Sequence, residues 1–243
     1  MSMTEELEQL LHNLRLHTVA ERFDAHLAQA EADGLPVAKL LATLLRDEWH
    51  ARQEQALKRR LQRARLPEIW TIESFPFKQQ TGVDRRRIRT LAELDFVPKA
   101  ENLVFIGPTG VGKTGLASGL LLKALQNGYR GLFIRAQDLF DEMYASLADR
   151  SSRKLLNQLV RVDLLLIDEL GYLNLRPEQI NIFFKLMEER HHQRPTLITT
   201  NLDYVSWPDF LGNQALTEAL LSRVRERCHT IRIDGPCLRA QQG

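Results

Sequence analysis

Leu103-Val104-Phe105-Ile106-Gly107-Pro108-Thr109-Gly110-Val111-Gly112-Lys113-Thr114 is the stretch on which the reading of the chain turns. Its last eight residues fit G-x-x-x-x-G-K-[ST] at every required place, after a short apolar run and before a helical pattern. An accidental glycine-rich turn would supply the glycines but not a strand before them and a helix after. The loop Gly107, Pro108, Thr109, Gly110, Val111 and Gly112 lets successive backbone N–H groups point inward, and the helix N-terminus adds partial positive charge. Lys113 is then the mobile cation for β- and γ-phosphates, and the Thr114 hydroxyl is placed to ligate Mg²⁺. ATP with Mg²⁺ is the expected cofactor pair.

Outward from this loop the texture is regular. Leu103–Ile106, Leu132–Ile134, Leu164–Ile167, Thr196–Thr199 and Ile231–Ile233 are strand candidates. Helical patterns lie between them, near residues 113–127, 136–148, 151–161, 177–191 and 214–227. Continuous apolar strands separated by helices predict a doubly wound α/β core, a parallel sheet flanked by helices. Asp168 and Glu169 then stand at the carboxyl edge of a buried strand, where open α/β sheets bind ligands. Asp168 is expected beside Mg²⁺ and Glu169 as the base for a water attacking the γ-phosphorus, with a solvated acidic turn as the plain alternative. Asn201, closing the next strand, is placed to hold that water or touch the γ-phosphate, unless it is an ordinary cap residue. Arg223, Arg225 and Arg227 precede the last strand; at spacing two they cannot share one helix face. One of them is a candidate to reach a neighbouring copy's nucleotide, against a plain basic helix end as the alternative.

Upstream, apolar residues recur at helical spacing from Glu5 to about Leu66, with Asp33-Gly34 and Pro36 as the breakers. Residues 1–66 are therefore expected as a small all-helical domain, 67–98 as a connector marked by Pro67, Pro76 and Gly82, and 99–243 as the core. Only ten residues follow Ile233, which predicts no C-terminal helical lid. Net charge is only +2, but residues 46–66 hold seven basic against three acidic residues. Arg52, Lys58, Arg59, Arg60 and Arg63, followed by Arg85, Arg86 and Arg87, are candidate phosphate contacts on DNA; Glu48/Arg52 and Glu54/Lys58 also have the i, i+4 spacing of an ordinary solvated face. Trp49, Trp70, Phe75 and Phe77 read as packing residues, and His191-His192 as solvent-facing. With 44% hydrophobic and 26% charged residues the chain is expected to fold in water, not to be disordered or fibrous. A charged start without a secretory signal, no long apolar run, and Cys228 and Cys237 outside any metal spacing predict a reduced, cytoplasmic protein without a membrane segment.

Four segments resemble one family. ENLVFIGPTGVGKTGLA, LLLIDELGYLNL, LITTN with Trp207 beyond it, and ALLSRVRERCHTIRI are similar to the IstB-like AAA+ ATPases, helpers of insertion-sequence transposition akin to DnaC-type helicase loaders. The resemblance covers roughly residues 70–239 and implies Lys113 and Thr114 in Walker A, Asp168 and Glu169 in Walker B, Asn201 as sensor 1 and Arg223 as arginine finger. It further implies homo-oligomers on DNA with ATP at subunit interfaces, working with a transposase. Thr109 and Val111 depart from the family's GPPGTGKTH, and Cys237-Leu238-Arg239 stands where the family has Ser-Tyr-Arg, the place of a sensor-2-like arginine.

Three functions compete at this point. An ATP-driven assembly factor for a transposase fits the family segments. A helicase loader shares the ATPase chemistry with another partner. A small-molecule P-loop kinase would act as a monomer on a specific acceptor.

Overall fold

The structure, a computed structural model, describes residues 3–171, 173 and 175–238. The chain divides into two compact units, Met1–Arg59 and Arg60–Gly243. The first is built from α1 (Met3–Asn13), α2 (His17–Ala32) and most of α3 (Val37–Ala64). Its small core is Leu11, Val19 and Leu44, with Leu7, Leu16, Phe23 and Leu40 against them. Glu48 of α3 is only 5% exposed, and its carboxylate accepts N–H bonds from Thr18 (2.8 Å) and Val19 (3.3 Å). It thereby satisfies donors that the first turn of α2 leaves open, and its charge suits that helix end. The α1–α2 break was not foreseen: Arg15 takes a positive φ of 55°, a stop usually made by glycine and so not marked in the sequence. Trp49, expected in a core, is 58% exposed, because Leu40 and Leu44 occupy the buried side of α3.

In the second unit, α4 (Arg85–Leu91) precedes β1 (Asn102–Ile106), α5 (Lys113–Gln126), β2 (Gly131–Arg135), α6 (Ala136–Ala148), α7 (Ser152–Arg161) and β3 (Leu164–Leu170). Then follow α8 (Pro177–Arg190), β4 (Thr196–Thr200), the short α9 (Trp207–Leu211), α10 (Gln214–Glu226) and β5 (Cys228–Arg232). The sheet is parallel throughout, in the order β2-β3-β4-β1-β5. Alternation along β1 sends Leu103 and Phe105 into one core and Val104 and Ile106 into the other, the period of two that covers both faces. The last strand begins three residues before the expected Ile231: Cys228, His229 and Thr230 pair with Asn102, Leu103 and Val104, but as edge residues they lack an apolar signature.

Residues 67–98, expected as a connector, send Ile72, Phe75, Val83, Ile88, Leu91, Leu94, Phe96 and Val97 into the core that packs on α5. Within this stretch α4 was not anticipated from the arginine run; Asp84 caps it by accepting the N–H groups of Arg86 and Arg87. No helix among the described residues is long and apolar enough to cross a membrane.

Candidate functional site

Sheet order positions the site. Because β4 lies between β3 and β1, the ends of three neighbouring strands deliver Asp168, Thr199 and Gly107 to one edge. Gly107 N–H donates to the Thr200 carbonyl at 3.2 Å, tying the loop to β4. Two loop glycines are required by space and backbone. A Cβ on Gly107 would sit 2.4 Å from the Ile233 carbonyl oxygen; one on Gly112, where φ is +94°, would sit 2.6 Å from the Phe75 ring. The loop, Lys113, Thr114, Asp168, Glu169 and Asn201 line a cleft of about 390 Å³ together with Trp70, Phe75 and Leu238, which pack beside Gly112 and Gly115.

Thr114 and Thr199 hydroxyls both donate to Asp168 Oδ1, at 2.8 and 2.6 Å, and the Glu169 N–H donates to Thr199 Oγ1 at 2.9 Å. Burial pushes the Asp168 carboxyl above its ordinary range, while the Thr199 and Thr114 hydroxyls pull it back. Lys113 Nζ donates to the Gly107 and Pro108 carbonyls, both at 2.7 Å, and so lies over the phosphate loop. In a regular strand Asp168 and Glu169 would face opposite ways. Here the β3–β4 register slips between Ile167 and Leu170, and Glu169 takes φ 59°, so the buried Asp168 and the exposed Glu169 both line the cleft. Asn201 Oδ1 is buried there and has no hydrogen-bond partner among the described residues.

This donor set fits a nucleotide with Mg²⁺: a hydroxyl and a carboxylate meet at hydrogen-bond distance as hard oxygen ligands, beside a lysine and a free acceptor. Thr114 and Asp168 would hold the ion.

Sequence reasoning missed Gln80, which is fully buried. Its Nε2 donates to the carbonyls of Val111 and Pro236, both at 3.0 Å, and its Oε1 accepts the Gly82 N–H. It clips the phosphate loop to the segment after β5, helped by the Leu238 N–H on the Gly110 carbonyl. Thr199 was missed as well; its place near the carboxyl end of an apolar strand was the available signal.

Arg223, Arg225 and Arg227 are not among the residues that line the cleft. Arg223 on α10 donates to the Ala219 carbonyl and to Glu188 of α8, at 3.1 and 3.3 Å, and its guanidinium lies 4.9 Å from the Phe184 ring centre. Arg225 lies over Tyr204, and Arg227 caps α10. Arg239 lies outside the described residues, as do Tyr172 and Asn174 of the quoted motif. Arg52 is held by Glu48 at 2.7 Å and by the Arg15 carbonyl, and Lys58 and Arg59 are exposed in the same unit. In the second unit Arg60 spends its Nε on the Leu125 carbonyl, whereas Arg63, Arg85, Arg86 and Arg87 are exposed, with Arg85 over Phe77.

The chain is similar to known proteins in sequence and in fold. The ATP-binding protein of insertion sequence IS21 from Pseudomonas aeruginosa is 34% identical over 237 residues, covering 98% of this chain and 89% of its own. A crystal structure of the DnaC helicase loader superimposes with TM-score 0.54 at 25% identity, over 61% of this chain and 87% of its own. AMPPCP-bound DnaA from Aquifex aeolicus gives 0.58 at 20% identity, over 70% of this chain and 51% of its own. The fold is thus the AAA+ P-loop architecture, a five-stranded parallel sheet between helices. A profile described as IstB-like ATP binding protein matches residues 9–243, and the chain belongs to that family.

Proposed function

We propose that this protein hydrolyses ATP between copies of itself assembled on duplex DNA and, so assembled, recruits or activates a transposase at the target. The observation that carries the hydrolytic part is the linked set Thr114–Asp168–Thr199–Glu169 beside Lys113 in one cleft. Insertion-sequence relatives support the transposition part.

Lys113 leaves its own loop carbonyls to meet the β- and γ-phosphates. Mg²⁺, when bound, supplies charge neutralisation across those phosphates. Thr199 donates to the same Asp168 Oδ1 as Thr114 and, through the Glu169 N–H, sets where the neighbouring carboxylate points. Glu169 takes one proton from the attacking water, and the side chain of Asn201, which lines the same cleft, orients that water. Arg223 does not line the cleft of its own copy, which supports action on the neighbour's phosphoryl group. The exposed arginines Arg63, Arg85, Arg86 and Arg87, with Lys58 and Arg59, take DNA phosphates without reading sequence. Val37, Leu41, Leu45 and Trp49 form an exposed i, i+4 stripe on α3 and support contact with a protein partner through the first unit.

A helicase-loader reading is favoured by one observation, the likeness to DnaC. ATP turnover and ATP-stimulated assembly on duplex DNA, measured for wild type, Lys113→Ala and Glu169→Gln, test the mechanism. Lys113→Ala is expected to lose nucleotide binding and Glu169→Gln to bind ATP without turning it over. Unchanged hydrolysis in either, or phosphoryl transfer to a small acceptor by a monomer, contradicts it. Capture by the full chain of a replicative helicase instead of a transposase selects the loader.

A further inference from the structure

Away from the cleft, α8 ends at Arg190 and the chain turns through His191 (φ −55°, ψ 129°) into His192, whose φ of 58° is left-handed. A non-glycine residue pays for that conformation, of order 1 kcal/mol. Its geometric effect is specific. Consecutive side chains of an extended segment diverge, yet these two imidazoles come together, ring centres 3.9 Å apart, on the carboxylate of Glu226, the last residue of α10. His191 Nε2 lies 2.9 Å from Glu226 Oε2 and His192 Nε2 lies 3.3 Å from Oε1. One ligand atom from each residue falls within 4.8 Å of the others. Ligands about 2.0–2.1 Å from a tetrahedral zinc ion stand roughly 3.4 Å apart, so these atoms are already near coordination spacing.

Both sides of the cluster are anchored. Arg190, 1% exposed, donates to the Leu159, Val162 and Pro195 carbonyls and to Thr196 Oγ1, and its own carbonyl accepts the N–H groups of Gln193 and Arg194. On the other side, Asn102 donates its side-chain amide to the Val224 carbonyl and its backbone N–H to the Arg227 carbonyl. Glu226 therefore sits on a fixed helix end. Glu188, one turn back on α8, is paired with Arg223, so the Glu226 carboxylate is the one that faces the histidines.

We propose that His191, His192 and Glu226 bind a divalent transition-metal ion of the zinc type, joining the carboxyl-terminal ends of α8 and α10. Two imidazole nitrogens and one carboxylate oxygen suit zinc over Mg²⁺, and three protein ligands leave a coordination position for water or a group from another molecule. The site is separate from the Mg²⁺ position at Thr114 and Asp168 and does not depend on the proposed ATPase cycle. The ion fixes the seam on which Arg223 is carried, three residues before Glu226.

The test uses the full chain without a histidine tag, titrated with Zn²⁺ by calorimetry and with Co²⁺ by visible absorption, in the absence of nucleotide. One ion per chain is expected, with the d–d bands of a four-coordinate Co²⁺ centre. His191→Ala, His192→Ala and Glu226→Gln should each weaken binding by about tenfold or more, whereas Cys228→Ser, Cys237→Ser and Lys113→Ala should leave it unchanged. Melting in the presence of a chelator, together with the milder His192→Asn, separates lost ligation from lost folding. Wild-type affinity retained in the His191→Ala/His192→Ala double variant overturns the proposal, as does failure of the wild type to bind Zn²⁺ at millimolar concentration.

Discussion

Glu169 and Asp168 are adjacent carboxylates held in different surroundings, and the chemistry follows from that difference. Asp168 is buried between two threonine hydroxyls, whereas Glu169 reaches the cleft from a left-handed residue. Glu169→Gln keeps the shape and removes the proposed base, so turnover should fall by about 10² to 10⁴ in a phosphate-release assay while ATP affinity stays close to wild type. Gln80→Leu should act on binding instead. It strands the Val111 and Pro236 carbonyls in a buried place, and about 1–3 kcal/mol per orphaned group is at stake. Nucleotide affinity measured by a fluorescent ATP analogue should weaken at least tenfold, with a smaller effect on the maximal rate; unchanged affinity would remove the clip from the account. That Lys113, Thr114, Asp168 and Glu169 would meet in one cleft was legible because a loop motif and a strand end fix their places in the chain. Gln80 and Thr199 were not, because they act on residues about thirty positions away through contacts that only folding creates.

At the scale of elements, apolar runs located β1 to β4, since buried parallel strands must be apolar, but only the end of the edge strand β5, and helices α5 to α8 and α10 lay where the spacing placed them. What escaped were features made by backbone conformation or by capping: the Arg15 stop, the Asp84-capped α4 and the β3 irregularity at Glu169. Two buried polar residues carry predictions. Arg190 is so enclosed that burial, with Arg194 nearby, lowers its pKa to about 9, still well above neutrality. Arg190→Met leaves the Leu159, Val162 and Pro195 carbonyls unpaired and should cost about 3 kcal/mol in urea unfolding. Glu48 behaves in the opposite sense. Burial works to raise its carboxyl pKa, but Arg52 and the Val19 and Thr18 N–H groups outweigh it, and the value falls below the ordinary 4.5. Folding therefore favours its charged form, so this contribution is complete above about pH 4.5 and is lost as pH falls through the native value. Hydrogen exchange should show the first turn of α2 opening on acidification, and Glu48→Gln should lower its protection about tenfold at neutral pH.

For the whole molecule, the two units present different groups. Residues 60–243 hold the complete set of groups expected to act on one nucleotide from within a single copy, while Arg223 on α10 lies outside that set. Residues 1–59 present an apolar stripe and basic residues that no internal core consumes. The charge blocks at Lys58–Arg63 and Arg85–Arg87 were visible in the sequence, but their partition was not: Arg52 and Arg60 are spent on internal acceptors, and the rest are exposed, as the proposed contact with DNA phosphates requires. Binding to duplex DNA should therefore weaken steeply with salt, and charge removal at Arg85, Arg86 and Arg87 should flatten that slope by about one per lost contact. The central claim, that ATP gripped by one copy is sensed by the next, is tested most directly by particle mass in solution with duplex DNA and either ATP or ADP. The account predicts large particles with ATP and DNA together, small ones with ADP, and loss of ATP turnover in Arg223→Ala with nucleotide binding intact. A particle that stays monomeric with ATP and DNA while hydrolysing at full rate would contradict it.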